Sequence, residues 1–220
     1  MERKFGEHTV RSFDGHLKNI ADLILKMSDL TAQSIEIIKD SLLHKIDLSD
    51  KIKEHDKEVN LLEGEIENEV VTFIALRQPK AYDLRFLIAA IKVANNLERV
   101  GDYAKSVVKR LNRGGKISPA HNQYLLKMAD ISKSMTEDAA ESFINNDLEK
   151  AGKVLDRDDE IDDIYKEIFN EFNKKELDET SRELVNVLFI AKSIERLADH
   201  AYNVASIVNY TVKGETIEKL

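Results

Sequence analysis

The chain has 220 residues, and its 33 Lys and Arg against 41 Asp and Glu give a formal net charge of −8. It contains no Cys, which excludes disulfide scaffolds, thiolate metal sites and cysteine nucleophiles. The acidic balance argues against sequence-independent nucleic-acid binding, and no apolar run or opening segment is typical of a membrane span or a signal peptide.

Six long amphipathic helices are predicted, because apolar side chains recur every three or four residues along most of the chain. Ser49, Asp83 and Ser118 are the expected N-caps of the second, third and fourth helices. The glycine pair at 114 and 115 is the strongest predicted break. The predicted helices cover about residues 9–45, 50–78, 84–113, 119–144, 148–174 and 181–213.

An internal repeat relates the two halves of the chain. When residues 85–108 are set over residues 182–205, eight of the 24 positions are identical. A weaker match, at an offset of 102 residues, relates the second and fifth helices; two unrelated amphipathic helices could also give such a match. Long helices joined by short loops pack as antiparallel neighbours. We therefore predict an all-α fold of two pseudo-repeated three-helix bundles, spanning residues 1–115 and 116–220.

Paired carboxylates occupy equivalent positions in the two repeats. Glu98 and Asp102 lie one turn apart on the third helix, and Glu195 and Asp199 lie one turn apart on the sixth. At about 100° per residue, these acids continue the apolar stripe of their helices instead of lying on the solvated face. Carboxylates one turn apart are close enough to share a cation.

Further oxygen ligands are predicted on the helices next in sequence: Asp56 and Asn60 on the second helix, and Asp158 and Asp162 on the fifth. An all-oxygen set suits Mg²⁺, Mn²⁺, Ca²⁺ or iron. The alternative is that the acids form salt bridges. Arg99 and Arg196 follow the glutamates directly and are expected to point about 100° away from them.

Signatures of other chemistry are missing from the sequence. It has no Gly-rich phosphate loop and no Gly-x-Ser-x-Gly elbow, and no His has a Glu three positions before it, as in di-iron carboxylate bundles. These absences argue against an enzyme. A basic group at the end of the third helix could contact an anionic partner, or it could be a solvated helix end that favours cations. Its members are Lys105, Lys109, Arg110, Arg113 and Lys116.

Three segments together resemble the PhoU family of phosphate-transport accessory and regulatory proteins. Residues 77–85 read RQPKAYDLR, residues 97–102 read LERVGD and residues 193–199 read SIERLAD. The resemblance spans nearly the whole chain. One departure is Ala198, where the family usually has a Gly that matches Gly101 in the first repeat.

The resemblance implies a non-enzymatic, cytoplasmic negative regulator of the phosphate response. Such a protein would link the ATPase subunit of a phosphate ABC transporter to a sensor histidine kinase, form a homodimer and reach the membrane only through its partners. It also implies metal binding, with iron, Mn²⁺ or Mg²⁺ held by the two Glu-x-x-x-Asp pairs. The alternative is a carboxylate-bridged metalloenzyme built on a helical bundle.

Overall fold

The computed structural model describes residues 11–79, 81–174 and 181–214. These ranges hold six α-helices and no strand, which confirms the predicted all-α fold. In chain order the helices are α1 (Arg11–His44), α2 (Ser49–Arg77), α3 (Ala81–Arg113), α4 (Pro119–Asn145), α5 (Leu148–Lys174) and α6 (Ser181–Lys213).

Several helix ends follow directly from local sequence. Ser118 caps α4, because its hydroxyl accepts a hydrogen bond from the backbone N–H of His121 and Pro119 occupies the first helical position. Asn146 ends α4 in the left-handed conformation, with φ of 55°. Helix α3 ends at Arg113, directly before the glycine pair that predicted a break. The predicted start of α1 at Thr9 lies outside the described residues.

Two predicted N-caps are wrong. The N-cap position of α2 is Leu48, which has no side-chain oxygen, and Ser49 is the first helical residue. Asp47 supplies the missing acceptor, since its Oδ1 lies 2.8 Å from the backbone N of Ser49. Helix α3 begins at Ala81, so Asp83 lies within its first turn, where a negative charge still interacts favourably with the helix dipole.

Each repeat forms a unit of three packed helices, α1–α3 and α4–α6, and the units meet through α3 against α6 and α1 against α4. Helices α3 and α6 are antiparallel. Arg85, near the start of α3, lies 3.5 Å from the carbonyl of Thr211, whereas Arg110, near its end, lies 4.4 Å from the ring centre of Phe189. The central pair α3/α6 therefore carries both predicted carboxylate pairs.

One continuous hydrophobic core holds the two units together. Phe86 of α3 and Phe143 of α4 are fully buried and stack across the boundary, with ring centres 5.2 Å apart and planes within 4°. Burial of one such side chain contributes on the order of 1.5–3 kcal/mol. The core therefore fixes the position of one repeat against the other.

The two repeats also pack in the same register. Asn95 of α3 donates a hydrogen bond to Glu63 of α2 at 3.3 Å. At the equivalent positions of the second repeat, Lys192 of α6 lies over the ring of Tyr165 of α5, 5.1 Å from its centre. The offset of 97 residues relates Asn95 to Lys192, and the offset of 102 residues relates Glu63 to Tyr165. The same pair of positions is therefore in contact in both repeats. The predicted pseudo-repeat is confirmed.

Candidate functional site

The first carboxylate cluster joins α2 to α3. The Glu98 and Asp56 side chains are only 14% and 15% exposed, and Asp102 is 36% exposed. The ammonium of Lys105 bridges the two aspartates, 2.7 Å from Oδ1 of Asp56 and 2.9 Å from Oδ1 of Asp102. The fold thus gathers acids that the sequence predicted to act together, and a lysine lies between them.

The charges in this cluster are not evenly balanced. Burial raises the pKa of the Glu98 carboxyl, and the negative charges of Asp102 and Glu63 raise it further. Burial also acts to raise the pKa of Asp102, but the hydrogen bond and charge of Lys105 outweigh it, so that pKa lies below its usual value. Glu98 is therefore the member of the cluster that lacks adequate compensation by a cation.

The second cluster lies on α6 at the equivalent positions. Glu195 and Asp199 are 12% and 24% exposed. The ammonium of Lys192 lies 2.7 Å from both carboxylate oxygens of Glu195, and its approach to the buried Oε2 is not aligned as a hydrogen bond. Arg196 reaches Asp199 at 3.7 Å. This cluster is also half-buried and also contains a cation.

The remaining members of the predicted ligand set differ in exposure. Asp158 and Asp162 are partly buried on α5, whereas Asn60 is exposed on α2. Across the part of the chain that the structure describes, no three His, Asp or Glu side chains stand close enough together to hold a metal ion. In both clusters an ammonium group lies against the carboxylates that a metal would need.

The expectation that Arg99 points away from Glu98 is wrong. Nε of Arg99 lies 3.4 Å from Glu98, and its Nη1 lies 3.5 Å from Asp102. The arginine side chain is long and flexible, so its guanidinium can contact an acid even where the side chain leaves the helix in a different direction.

The two lysines were not predicted to belong to the clusters, although their sequence spacing from the acids indicates such a contact. Lys105 follows Asp102 by three residues and Lys192 precedes Glu195 by three residues, which is one helical turn. A search of the sequence for cations at this spacing would have found both.

Residues at equivalent positions of the two repeats meet at the centre of the α3/α6 pair. His200 stacks on Tyr103, the residue at its equivalent position in the first repeat, with ring centres 5.6 Å apart. Burial lowers the pKa of His200. A methyl group built on Gly101 would lie 3.5 Å from Val59, which is ordinary van der Waals contact.

Known proteins share this organisation. The model of the PhoU domain matches residues 24–111 and again residues 125–208, one match in each repeat. The chain belongs to the PhoU domain family. The phosphate-specific transport system accessory protein PhoU homolog of Zymomonas mobilis is 34% identical over 212 residues, which cover 94% of this chain and 90% of the relative. The homolog of Caulobacter vibrioides is 32% identical over 96% of this chain and 94% of the relative.

Solved structures agree with the sequence relatives. The crystal structure of PhoU from Pseudomonas aeruginosa matches with a TM-score of 0.85 at 28% identity, covering 92% of this chain and all of that one. The PhoU structure from Streptococcus pneumoniae, described as a phosphate transport system regulatory protein, matches with a TM-score of 0.80 at 25% identity over 94% of this chain and all of that one. The predicted resemblance is confirmed, and these relatives support an accessory, regulatory role in phosphate transport. No helix in the described ranges is long and apolar enough to cross a bilayer.

Proposed function

We propose that this protein is a cytoplasmic negative regulator of the phosphate response, acting as an adaptor between a phosphate ABC transporter and a sensor histidine kinase. It contacts the ATPase subunit of the transporter, restrains uptake and damps kinase signalling when phosphate is plentiful. The observation that carries the proposal is the match, over both repeats and more than nine-tenths of the chain, to proteins named as phosphate-transport accessory proteins.

The architecture supports an adaptor more than an enzyme. Its helices are 27 to 34 residues long and offer extended faces for partner proteins. The relatives are named accessory or regulatory proteins. The alternative function is that of a carboxylate-bridged metalloenzyme.

We further propose that the two carboxylate clusters bind iron, Mn²⁺ or Mg²⁺. Glu98 and Asp102 would hold metal in the first repeat, with Asp56 and Asn60 from α2. Glu195 and Asp199 would do so in the second, with Asp158 and Asp162 from α5. The donor set is entirely oxygen, which suits these cations.

Lysine ammonium groups pair with the acids in both clusters, as the salt-bridge alternative predicted, so a bound metal ion would have to displace them. Lys105 bridges carboxylates from two helices at 2.7 and 2.9 Å, so a cation is already held at that position. A metal ion with a higher charge would displace the ammonium and would also neutralise Glu98, whose pKa is raised by burial and by the charge of Asp102. Metal binding therefore means exchange of one cation for another within a preformed acidic cluster.

A reporter strain tests the regulatory role. Deletion of the gene should leave the kinase unrestrained, so that a phosphate-responsive reporter is active even in high phosphate, and the wild-type chain should restore repression. Normal repression in the deletion strain, with unchanged phosphate uptake, would refute the adaptor and favour the metalloenzyme.

A pull-down from phosphate-replete cells tests the partners. The tagged full-length chain should retain the transporter ATPase and the kinase, and metal analysis of the same sample should show the bound ion. Light scattering of the purified chain tests the homodimer. Recovery of neither partner, together with turnover by the metal-loaded protein, would contradict the adaptor.

A further inference from the structure

A basic pocket of about 820 Å³ opens in the first repeat, between the start of α2 and the second half of α3. Five of its twelve lining side chains are cations, and two, Asp47 and Asp102, are acids. The cations are Lys53, Arg99, Lys105, Lys109 and Arg113. A concentration of positive charge in a chain of net charge −8 requires a specific explanation.

The cations differ in how far they are already neutralised. Lys105 and Arg99 contact the carboxylates of the first cluster. Lys109 and Arg113 are exposed, and neither forms an ion pair with any other residue that the structure describes. Two positive charges therefore remain available at the mouth of the pocket.

The second repeat differs from the first at the positions of these cations. Helix α6 is as long as α3 and ends with the same dipole. At the positions equivalent to Lys105, Lys109 and Arg113, however, α6 carries neutral side chains. These are Tyr202, Ser206 and Tyr210. Lys105, Lys109 and Arg113 therefore have no cationic counterparts on α6, although α6 also has a cation in its last turn, Lys213.

The pocket is also held in shape. The side-chain amide of Asn112, near the end of α3, donates hydrogen bonds to Asp47 at 2.6 Å and to the Ser49 hydroxyl at 2.8 Å. These contacts fix the start of α2 at the rim of the pocket, where the Asp47 carboxylate accepts a hydrogen bond from the backbone N–H of Ser49. The volume lies within the range of small-molecule sites.

We propose that this pocket binds a small molecule carrying a diphosphate group, such as inorganic pyrophosphate or a nucleoside triphosphate. Lys105 and Arg113 are eight residues apart on α3, about 12 Å at 1.5 Å per residue, so the cations are distributed along the wall of the pocket. A ligand with linked phosphates can take charge-assisted hydrogen bonds from several of them. This site goes beyond the adaptor function and is tested on the purified chain, so either proposal can fail without the other.

Calorimetric titration of the purified full-length chain in EDTA tests the site without contribution from bound metal. Pyrophosphate and ATP should each bind at least tenfold more tightly than inorganic phosphate, and the affinity should fall as salt rises. Equal affinities for pyrophosphate and ATP assign recognition to the diphosphate, whereas tighter ATP binding adds a contact to the nucleoside; both support the proposal.

Matched variants locate the site. Lys109→Ser with Arg113→Tyr, the residues of the second repeat, should weaken pyrophosphate binding about tenfold or more and leave the circular-dichroism melt unchanged. The control, Lys153→Gln with Lys166→Gln on exposed positions of α5, should bind like the wild type. Four results would overturn the proposal: no binding of either probe, equal binding of inorganic phosphate, equal binding of hexaglutamate, or unchanged affinity in the Lys109 and Arg113 variant.

Discussion

The two carboxylate clusters hold the same acids at equivalent positions but obtain their cations from different places. In the first repeat Lys105, one turn after Asp102, bridges α3 to α2 through Asp56. In the second repeat Lys192, one turn before Glu195, contacts that glutamate. The position equivalent to Lys105 is Tyr202, and the position equivalent to Lys192 is Asn95.

This difference separates what the repeat retains from what it varies. The two repeats share the acid pairs and their half-buried setting on the central helices, whereas the neutralising lysines are particular to each. A half-buried acid pair without a cation is costly, so each repeat supplies its own ammonium. The repeats therefore share an acidic cluster that requires a nearby cation. A metal ion would meet the same requirement.

Removal of one acid pair should give the largest effect. Glu98→Ala with Asp102→Ala should lower bound metal to about half that of the wild type, and Glu195→Ala with Asp199→Ala should do the same, because the proposal places one metal site in each repeat. Metal content of protein loaded with Mn²⁺ and desalted provides the measurement. The control is Asp156→Ala with Glu160→Ala, an exposed acid pair of the same spacing on α5. Full metal content in either cluster variant would show that the ligands are wrongly assigned.

Removal of the competing ammonium groups should distinguish the two clusters. Lys105→Met should raise the affinity for Mn²⁺ about tenfold, because a positive charge about 4–6 Å from the metal position repels it by more than 1 kcal/mol. Lys192→Met should have a smaller effect, since Lys192 contacts one acid and Lys105 contacts two. Titrations followed by calorimetry measure both. Lys166→Met, whose ammonium pairs with exposed Asp163, serves as the control. An unchanged affinity in Lys105→Met would contradict cation exchange.

Glu98→Gln should stabilise the metal-free protein at neutral pH by about 0.5–1 kcal/mol. The raised pKa of Glu98 means that its charged form is disfavoured in the folded state. A group with a raised pKa contributes its stability below the unfolded pKa and loses it as pH rises through the folded pKa. The advantage of Gln should therefore shrink as the pH falls through the raised pKa of Glu98, and it should be absent below the ordinary pKa of Glu. Urea unfolding at several pH values tests this, and a stability lower than wild type at neutral pH would count against it.

Gly101→Ala tests the smallest difference between the repeats, since the equivalent residue is Ala198. The new methyl group has room beside Val59, and Ala is favoured over Gly within a helix by up to about 1 kcal/mol. We expect a slightly higher melting temperature by calorimetry. Gly64→Ala, where the methyl group meets no neighbour within 4 Å, measures helix propensity alone. A Gly101→Ala protein less stable than the wild type would show that close packing requires the glycine.

Most of the fold could be predicted from the sequence, because helix periodicity, the Ser118–Pro119 start and the repeat all depend on local spacing. The bounds predicted for α5 and α6 agree with the structure. The starts of α2 and α3 were placed wrongly because one acceptor, Asp47, acts from outside the expected cap position, and α3 begins two residues before Asp83.

The candidate site was predicted in part. The acids could be found because their helical azimuth depends only on residue number, as with Glu98 and Glu195. The spacing of Lys105 and Lys192 from their acids was also present in the sequence, whereas the contact of Arg99 with Glu98 depends on a side chain long enough to reach an acid outside its own direction. The contact between Lys105 and Asp56 depends on how α2 packs against α3, which the sequence pattern does not specify.

The most direct test of the account is an anomalous-scattering experiment on crystals of the full chain loaded with Mn²⁺. We expect Mn²⁺ bound to carboxylate oxygens of Glu98 and Asp102, and again to those of Glu195 and Asp199, with the ammonium groups of Lys105 and Lys192 displaced. An anomalous map without a peak at either cluster, with both lysines still against their carboxylates, would contradict the account.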